Sequence, residues 1–121
     1  MSEPQPVSNP NFRYRIDAFQ VPEATRPEFE AAMQRNWAFL RTLPGFLGHR
    51  VLVKSAGPSR FDLVTIATWE SEEAAGQAGK AVRAYYARIG FDPAVAMEQW
   101  GVKGELGFFR EQESPRSHPS P

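Results

Sequence analysis

The side chains here that could do chemistry are aromatic rings and one amide, set at regular spacing on apolar segments. Trp69 ends an alternating run, Phe61–Glu70, directly before a helix start at Ser71, which makes it the floor of any pocket the chain contains. Asn36 lies on the apolar stripe of a helix, between Met33 and Leu40. A buried amide must hydrogen-bond to backbone, water or ligand, so Asn36 is the most informative polar residue of the set. Its neighbour Trp37 shares the stripe and serves as core or as pocket wall. Tyr85 and Tyr86 are adjacent, about 100° apart around a helix, so one of the two points inward. This is equipment for enclosing an apolar compound and touching it with a few polar tips.

Other chemistries are excluded or unsupported. There is no cysteine, hence no thiolate nucleophile, thiolate metal site or disulfide. Of two histidines, His118 sits beside proline near the C-terminus, and His49 stands among apolar strand residues as a packed or interface side chain. No metal site can be assembled from them, and none is expected. No glycine pattern follows a strand as dinucleotide or phosphate binding requires, so no cofactor held by a familiar motif is expected. Fourteen basic and fourteen acidic residues give a net charge of zero, which argues against nucleic acid or an anionic membrane as partner. The first ten residues lack the apolar run of a signal peptide, and no stretch is long enough to span a bilayer; the cytoplasm is the expected location.

The scaffold follows from periodicity. Phe12–Val21 alternates as a first strand, with Phe12, Tyr14, Ile16 and Ala18 on one face and Arg13, Arg15, Asp17 and Phe19 on the other. The second face mixes charge with an aromatic and is expected to meet another subunit. Thr25-Arg26-Pro27-Glu28 reads as a capping box opening a helix of about five turns that runs to Leu43 and is stopped by Pro44-Gly45. Phe46–Ser55 is a second strand, with Leu47, His49, Val51 and Val53 on one side and Phe46, Arg50, Leu52 and Lys54 on the other. The turn Ala56–Ser59 leads to its antiparallel partner, Phe61–Glu70. That third strand is apolar on both faces, Leu63 and Ala67 against Val64 and Ile66, and is therefore central. Ser71 caps a second helix, Glu72–Ile89, expected to bury Tyr85, Tyr86 and Ile89 in its second half. Its small residues Ala75, Gly76, Ala78 and Gly79 either pack close or leave a void. Asp92-Pro93 starts a short helix to Trp100, and Val102–Glu111 is the last strand.

This order predicts an α+β, ferredoxin-like βαββαβ domain with a four-stranded antiparallel sheet over residues 12–111, between tails at 1–11 and 112–121. Two helices cover one sheet face. The other would carry Val64, Ile66 and Phe19 into water, so a homodimer through the open face is expected.

Three segments, LPGFLG at Leu43–Gly48, ATWESEEA at Ala67–Ala74 and GFDP at Gly90–Pro93, together resemble the antibiotic biosynthesis monooxygenase family of dimeric α+β barrel proteins. The resemblance implies a cofactor-independent monooxygenase acting with O₂ on a small aromatic, polyketide-like or quinol-like compound. In such enzymes a deprotonated phenol or enol itself gives an electron to O₂, inside an apolar pocket with hydrogen bonds to the developing oxyanion. On this reading Tyr14, Thr65 and Trp69 line the sheet side, and Asn36, Trp37, Tyr85 and Tyr86 the helix side. The tryptophan of the WES motif lines the cavity in the polyketide oxygenases of the family, and Trp69 matches it. Their asparagine four residues earlier is Thr65 here, and their tyrosine six residues later is Ala75. Those departures favour the alternative, a non-catalytic dimeric module that binds or senses a small ligand. The haem-degrading relatives use an asparagine on the first strand and a histidine on the second helix. Neither residue type occurs in those segments here, so haem is not expected.

Overall fold

The structure, a computed structural model, describes residues 9–112; of the tails expected at 1–11 and 112–121, residues 1–8 and 113–121, His118 included, lie outside the described residues. Strands β1 (Arg13–Gln20), β2 (Phe46–Val53), β3 (Leu63–Trp69) and β4 (Lys103–Phe109) form one antiparallel sheet in the order β2-β3-β1-β4. Helices α1 (Arg26–Leu40), α2 (Glu72–Ile89) and α3 (Pro93–Trp100) accompany it, giving the ferredoxin-like α+β arrangement that the residue pattern predicts. No described helix is long and apolar enough to cross a membrane.

β3 sets the two faces. Leu63, Thr65, Ala67 and Trp69 are buried, while Val64, Ile66 and Thr68 are half-buried. Residues opposite one another in antiparallel strands share a face. Arg13, Arg15, Asp17 and Phe19 stand opposite Trp69, Ala67, Thr65 and Leu63. The charged face of β1 therefore lies under the helices, and Phe19 packs there with Phe29 at 4.9 Å between ring centroids. This corrects the expectation that Phe19 shares the open face with Val64 and Ile66. The open face carries Tyr14, Ile16 and Ala18 beside Thr68, Ile66 and Val64.

Four further local expectations differ from the structure. In β2 a bulge between Phe46 and Gly48 inserts Leu47, so Phe46 (opposite Trp69) and His49 (opposite Ala67) share the helix face instead of opposing each other. At α1 the capping box does not form. A short 3₁₀ turn, Glu23–Thr25, precedes the helix, and the Thr25 hydroxyl donates to the Trp100 carbonyl at 2.6 Å, which ties α1 to the end of α3. α1 also ends at Leu40, one turn before Leu43. α2 spans the expected residues: Ser71 Oγ accepts from Ala74 N at 3.0 Å, and Gly90 closes the helix at φ 69°. Ile89, expected inside, is 41% exposed.

The interior has two clusters. One joins Trp37, Leu40, Ala67, Trp69, Ala75 and Ala78; the other joins Val21, Phe29, Leu63 and Val102. Met33 packs against both.

Candidate functional site

Between the sheet and the helices lies a cavity of about 520 Å³. Its floor comes from Thr65, Ala67 and Trp69 of β3 with Arg15 and Asp17 of β1, and its walls from Asn36 and Trp37 of α1, Ala75, Gly79 and Tyr86 of α2, and Met97 of α3. The volume falls in the range of small-molecule sites, about 300–1,000 Å³. It exists because the side chains facing one another here are small: Ala67 on the sheet meets Ala75 and Ala78 of α2. A Cβ on Gly79 would find nothing nearer than Arg83 Nη1 at 3.5 Å. Of the two readings of the small residues in α2, the void is the one realised.

Two polar atoms of α1, Asn36 Oδ1 and Trp37 Nε1, are buried without a hydrogen-bond partner among the described residues, and both residues line the cavity. Leaving such a group unpaired costs about 1–3 kcal/mol. One is an acceptor and the other a donor. The Trp37 indole is stacked on His49, 4.2 Å between centroids and 11° from parallel, which fixes its plane. Burial, and then the Arg41 charge, hold the His49 imidazole below its ordinary pKa of 6.5, so it is neutral at pH 7. Trp69 is held edge-on by Phe46 at 5.2 Å.

At the other side of the cavity Arg15 and Asp17, two apart on β1 and so on one face, form a two-pronged pair: Nε to Oδ1 at 2.9 Å and Nη2 to Oδ2 at 3.1 Å. The Asp17 side chain is 14% exposed and that of Arg15 41%. Tyr86 completes this side. Burial pushes its phenol above the ordinary value of 10.0, against the opposing pull of Arg15 and Arg35, with smaller upward pushes from Tyr85 and Asp17. At neutral pH it is a hydroxyl donor.

Of the residues expected at a site, the structure brings Asn36, Trp37, Thr65, Trp69 and Tyr86 together on one cavity. Tyr14 is elsewhere: it stands opposite Thr68 on the open face, its hydroxyl 3.4 Å from Glu111. Tyr85 is also off the cavity, stacked on Phe39 at 4.2 Å and 6°, so Tyr86 is the inward member of that pair. The Arg15–Asp17 pair was not anticipated as part of the site. Its signal was present in the alternation of β1, but only the register with Leu63 and Trp69 tells which face looks at the helices.

Residues 14–86 match the family model described as antibiotic biosynthesis monooxygenase. The mycobilin-producing haem oxygenase of Mycobacterium tuberculosis is 37% identical over 60 residues, covering 50% of this chain and 55% of its own length. The chain thus spans about half the length of the curated relatives it matches. SnoaB, a cofactor-independent oxygenase from Streptomyces nogalater, superposes with a TM-score of 0.58 at 26% identity over 87% of this chain and 97% of its own. A MhuD variant with two manganese protoporphyrin IX molecules per active site superposes with a TM-score of 0.62 at 24% identity, over 84% of this chain and 96% of its own, a likeness of fold.

Haem, implied by two of these relatives, does not suit the residues present. Among the described residues no histidine lines the cavity, the chain has no cysteine, and His49 is stacked on the Trp37 ring. No cluster of three metal-ligating side chains occurs among the described residues.

Proposed function

This chain belongs to the antibiotic biosynthesis monooxygenase family, and from that premise we propose that it is a cofactor-independent monooxygenase that oxidises a small electron-rich aromatic, polyketide-like or quinol-like compound with O₂. The observation that carries the proposal is the pair of unpartnered buried groups, Asn36 Oδ1 and Trp37 Nε1–H, on the wall of an apolar cavity. They are complementary to a compound bearing a hydroxyl donor and a carbonyl or oxyanion acceptor. SnoaB, alike in fold, is a cofactor-independent oxygenase.

The chemistry needs little from the protein. A methylene flanked by aromatic rings, or the enol it forms, loses a proton; Asp17 is the half-buried carboxylate on the wall that accepts it. The resulting carbanion transfers one electron to O₂, and the substrate radical and superoxide couple to a peroxide that takes up one proton. Loss of water then leaves a carbonyl, so CH₂ and O₂ become C=O and H₂O. Trp37 Nε1–H and the neutral Tyr86 hydroxyl donate to the oxygen on which charge gathers. Trp37, Trp69 and Ala67 keep water out.

The test is oxygen uptake with a panel of anthrones and quinols. Uptake above a buffer blank that falls at least about tenfold in Trp37→Phe supports the reading; uptake equal to the blank across the panel sinks it. A second reading, a non-catalytic module that binds or senses its ligand, is favoured by Thr65 and Ala75, cavity positions with no titratable group. It expects binding without oxygen uptake.

The open sheet face carries Ile16, Val64 and Ile66, with Leu52 42% exposed and Phe109 52% exposed at its two edges. We take its occupant to be a second copy, and the working location to be the cytoplasm. Light scattering at twice the 13.6 kDa protomer mass supports the dimer; a lone protomer at micromolar concentration refutes it.

A further inference from the structure

The charged side chains around the cavity are of unequal sign. Arg15 and Arg83 line it, and Arg35 stands over the ring of Phe91, a lining residue, with its guanidinium carbon 4.7 Å from the centroid. Phe91 in turn meets Tyr86 edge-on at 5.1 Å, and the charges of both Arg15 and Arg35 act on the Tyr86 phenol. Arg83 folds back along α2 over Gly79, where the missing Cβ leaves room for its Nη1. Against these three guanidinium groups stands one carboxylate, Asp17, whose oxygens accept from Nε and Nη2 of Arg15 and leave Nη1 without a partner among the described residues. The other acid on the wall, Glu105, is paired with Arg60. Neither Arg35 nor Arg83 has an ion-pair partner among the described residues.

The cavity is thus asymmetric. Its inner end, Trp37, Trp69 and Ala75, is apolar and 3–7% exposed. Its outer side, where Leu106 and Phe108 of β4 are 60% and 54% exposed, is lined by Arg15, whose guanidinium carbon lies 5.8 Å from the Phe108 centroid, and by Arg83 of α2, while Arg35 of α1 reaches it through the ring of Phe91. A neutral polycyclic compound would use the inner end and leave those cations unanswered. A planar acid would use both, since guanidinium groups hold carboxylates by paired, charge-assisted hydrogen bonds.

We propose that the compound bound here is an aromatic acid, its ring system against Trp37 and Trp69 and its carboxylate at the rim among Arg15, Arg35 and Arg83. The proposal rests on the cavity being a substrate site and adds the chemical class of the substrate. It assigns Arg35 and Arg83 as specificity residues, acting on the acid and not on the oxidised carbon.

The probe pair is anthraquinone-2-carboxylate and its carboxamide, alike in shape and different in charge, titrated into the full chain by quenching of tryptophan fluorescence. The acid binds about tenfold tighter than the amide to the unaltered protein, and the ratio narrows as salt is raised. In Arg35→Gln and in Arg83→Gln, both exposed positions, the ratio shrinks toward unity; the double variant brings it within about twofold. Equal affinities for acid and amide, binding of neither, or a preference that survives the double variant each overturn the proposal. Binding is read without turnover. A preference for the acid in a chain that consumes no O₂ leaves this proposal standing and removes the oxygenase reading, whereas oxidation of neutral substrates without any preference does the reverse.

Discussion

The two buried clusters are built from similar side chains and do different work. Around Phe29 large side chains fill the interior and only border the cavity: Leu63 is 2% exposed, Phe29 is flanked edge-on by Phe19 and Trp100, and nearby polar groups are paired, Thr25 to the Trp100 carbonyl and Asp62 to the Val21 amide. Around Trp37 the interior is equally dry but open, because alanines and a glycine face one another and two polar atoms wait unpaired. The difference teaches where this chain spends stability. One end of the helix–sheet interface holds the fold, and the other gives up packing to hold a guest.

Four measurements would sharpen or break that contrast. Phe29→Ala removes the largest side chain of the cluster with Val21, Leu63 and Val102 and lowers unfolding stability by about 3–5 kcal/mol in urea; a loss under about 1.5 kcal/mol would mean that this end is not packed as described. Asn36→Leu, in the open cluster, does the opposite. It relieves an unpaired acceptor and raises the stability of the ligand-free protein by about 1–2 kcal/mol while weakening ligand binding; a destabilised variant would show that the amide is already satisfied. Gly79→Leu puts a side chain into the open end. It leaves stability within about 1 kcal/mol and weakens binding of an anthraquinone at least about tenfold, and unaltered binding would put the guest elsewhere.

The smallest effect is a pH dependence. His49 has a folded pKa below its unfolded value of 6.5, so the unfolded chain binds more protons between the two. The stability this represents is present above 6.5 and is lost as pH falls through the folded value. Urea midpoints measured on either side of pH 6.5 should differ more for the unaltered chain than for His49→Phe, which keeps the stack on Trp37. Identical pH dependence in the two would show that the imidazole titrates normally.

Much of the architecture was legible because period and punctuation agree. Ser71 and Gly90 bracket α2, Asp92 and Gly101 bracket α3, and both ends of each helix are where the residue types place them. What the periodicity of one strand could not supply was its orientation. The charged face of β1 reads as a subunit surface until pairing with β3 turns Asp17 and Phe19 under the helices, and the same turn carries Tyr14 out of the site. The bulge at Leu47 is invisible for a related reason, since an alternating pattern has no way to register one extra residue. Thr25 had the right neighbours for a cap, but its hydroxyl is used in a contact 75 residues away. For the site, Asn36 and Trp69 announced themselves by standing out from their surroundings. Arg15, Arg35 and Arg83 did not, because arginines on three separate elements look like ordinary surface until the fold gathers them.

Gly45 has a consequence for what the protein can hold. Its φ is 82°, and a Cβ there would lie 2.5 Å from that of Ala74, while its carbonyl accepts from Glu70 N at 2.9 Å. The corner after α1 is thereby wedged against the first turn of α2 and tied to Glu70, one residue along the chain from Trp69. That wall is a fixed stop. On the reading proposed above, a guest seated against it can lengthen only toward the rim, as a rod in a blind socket can lengthen only toward the mouth.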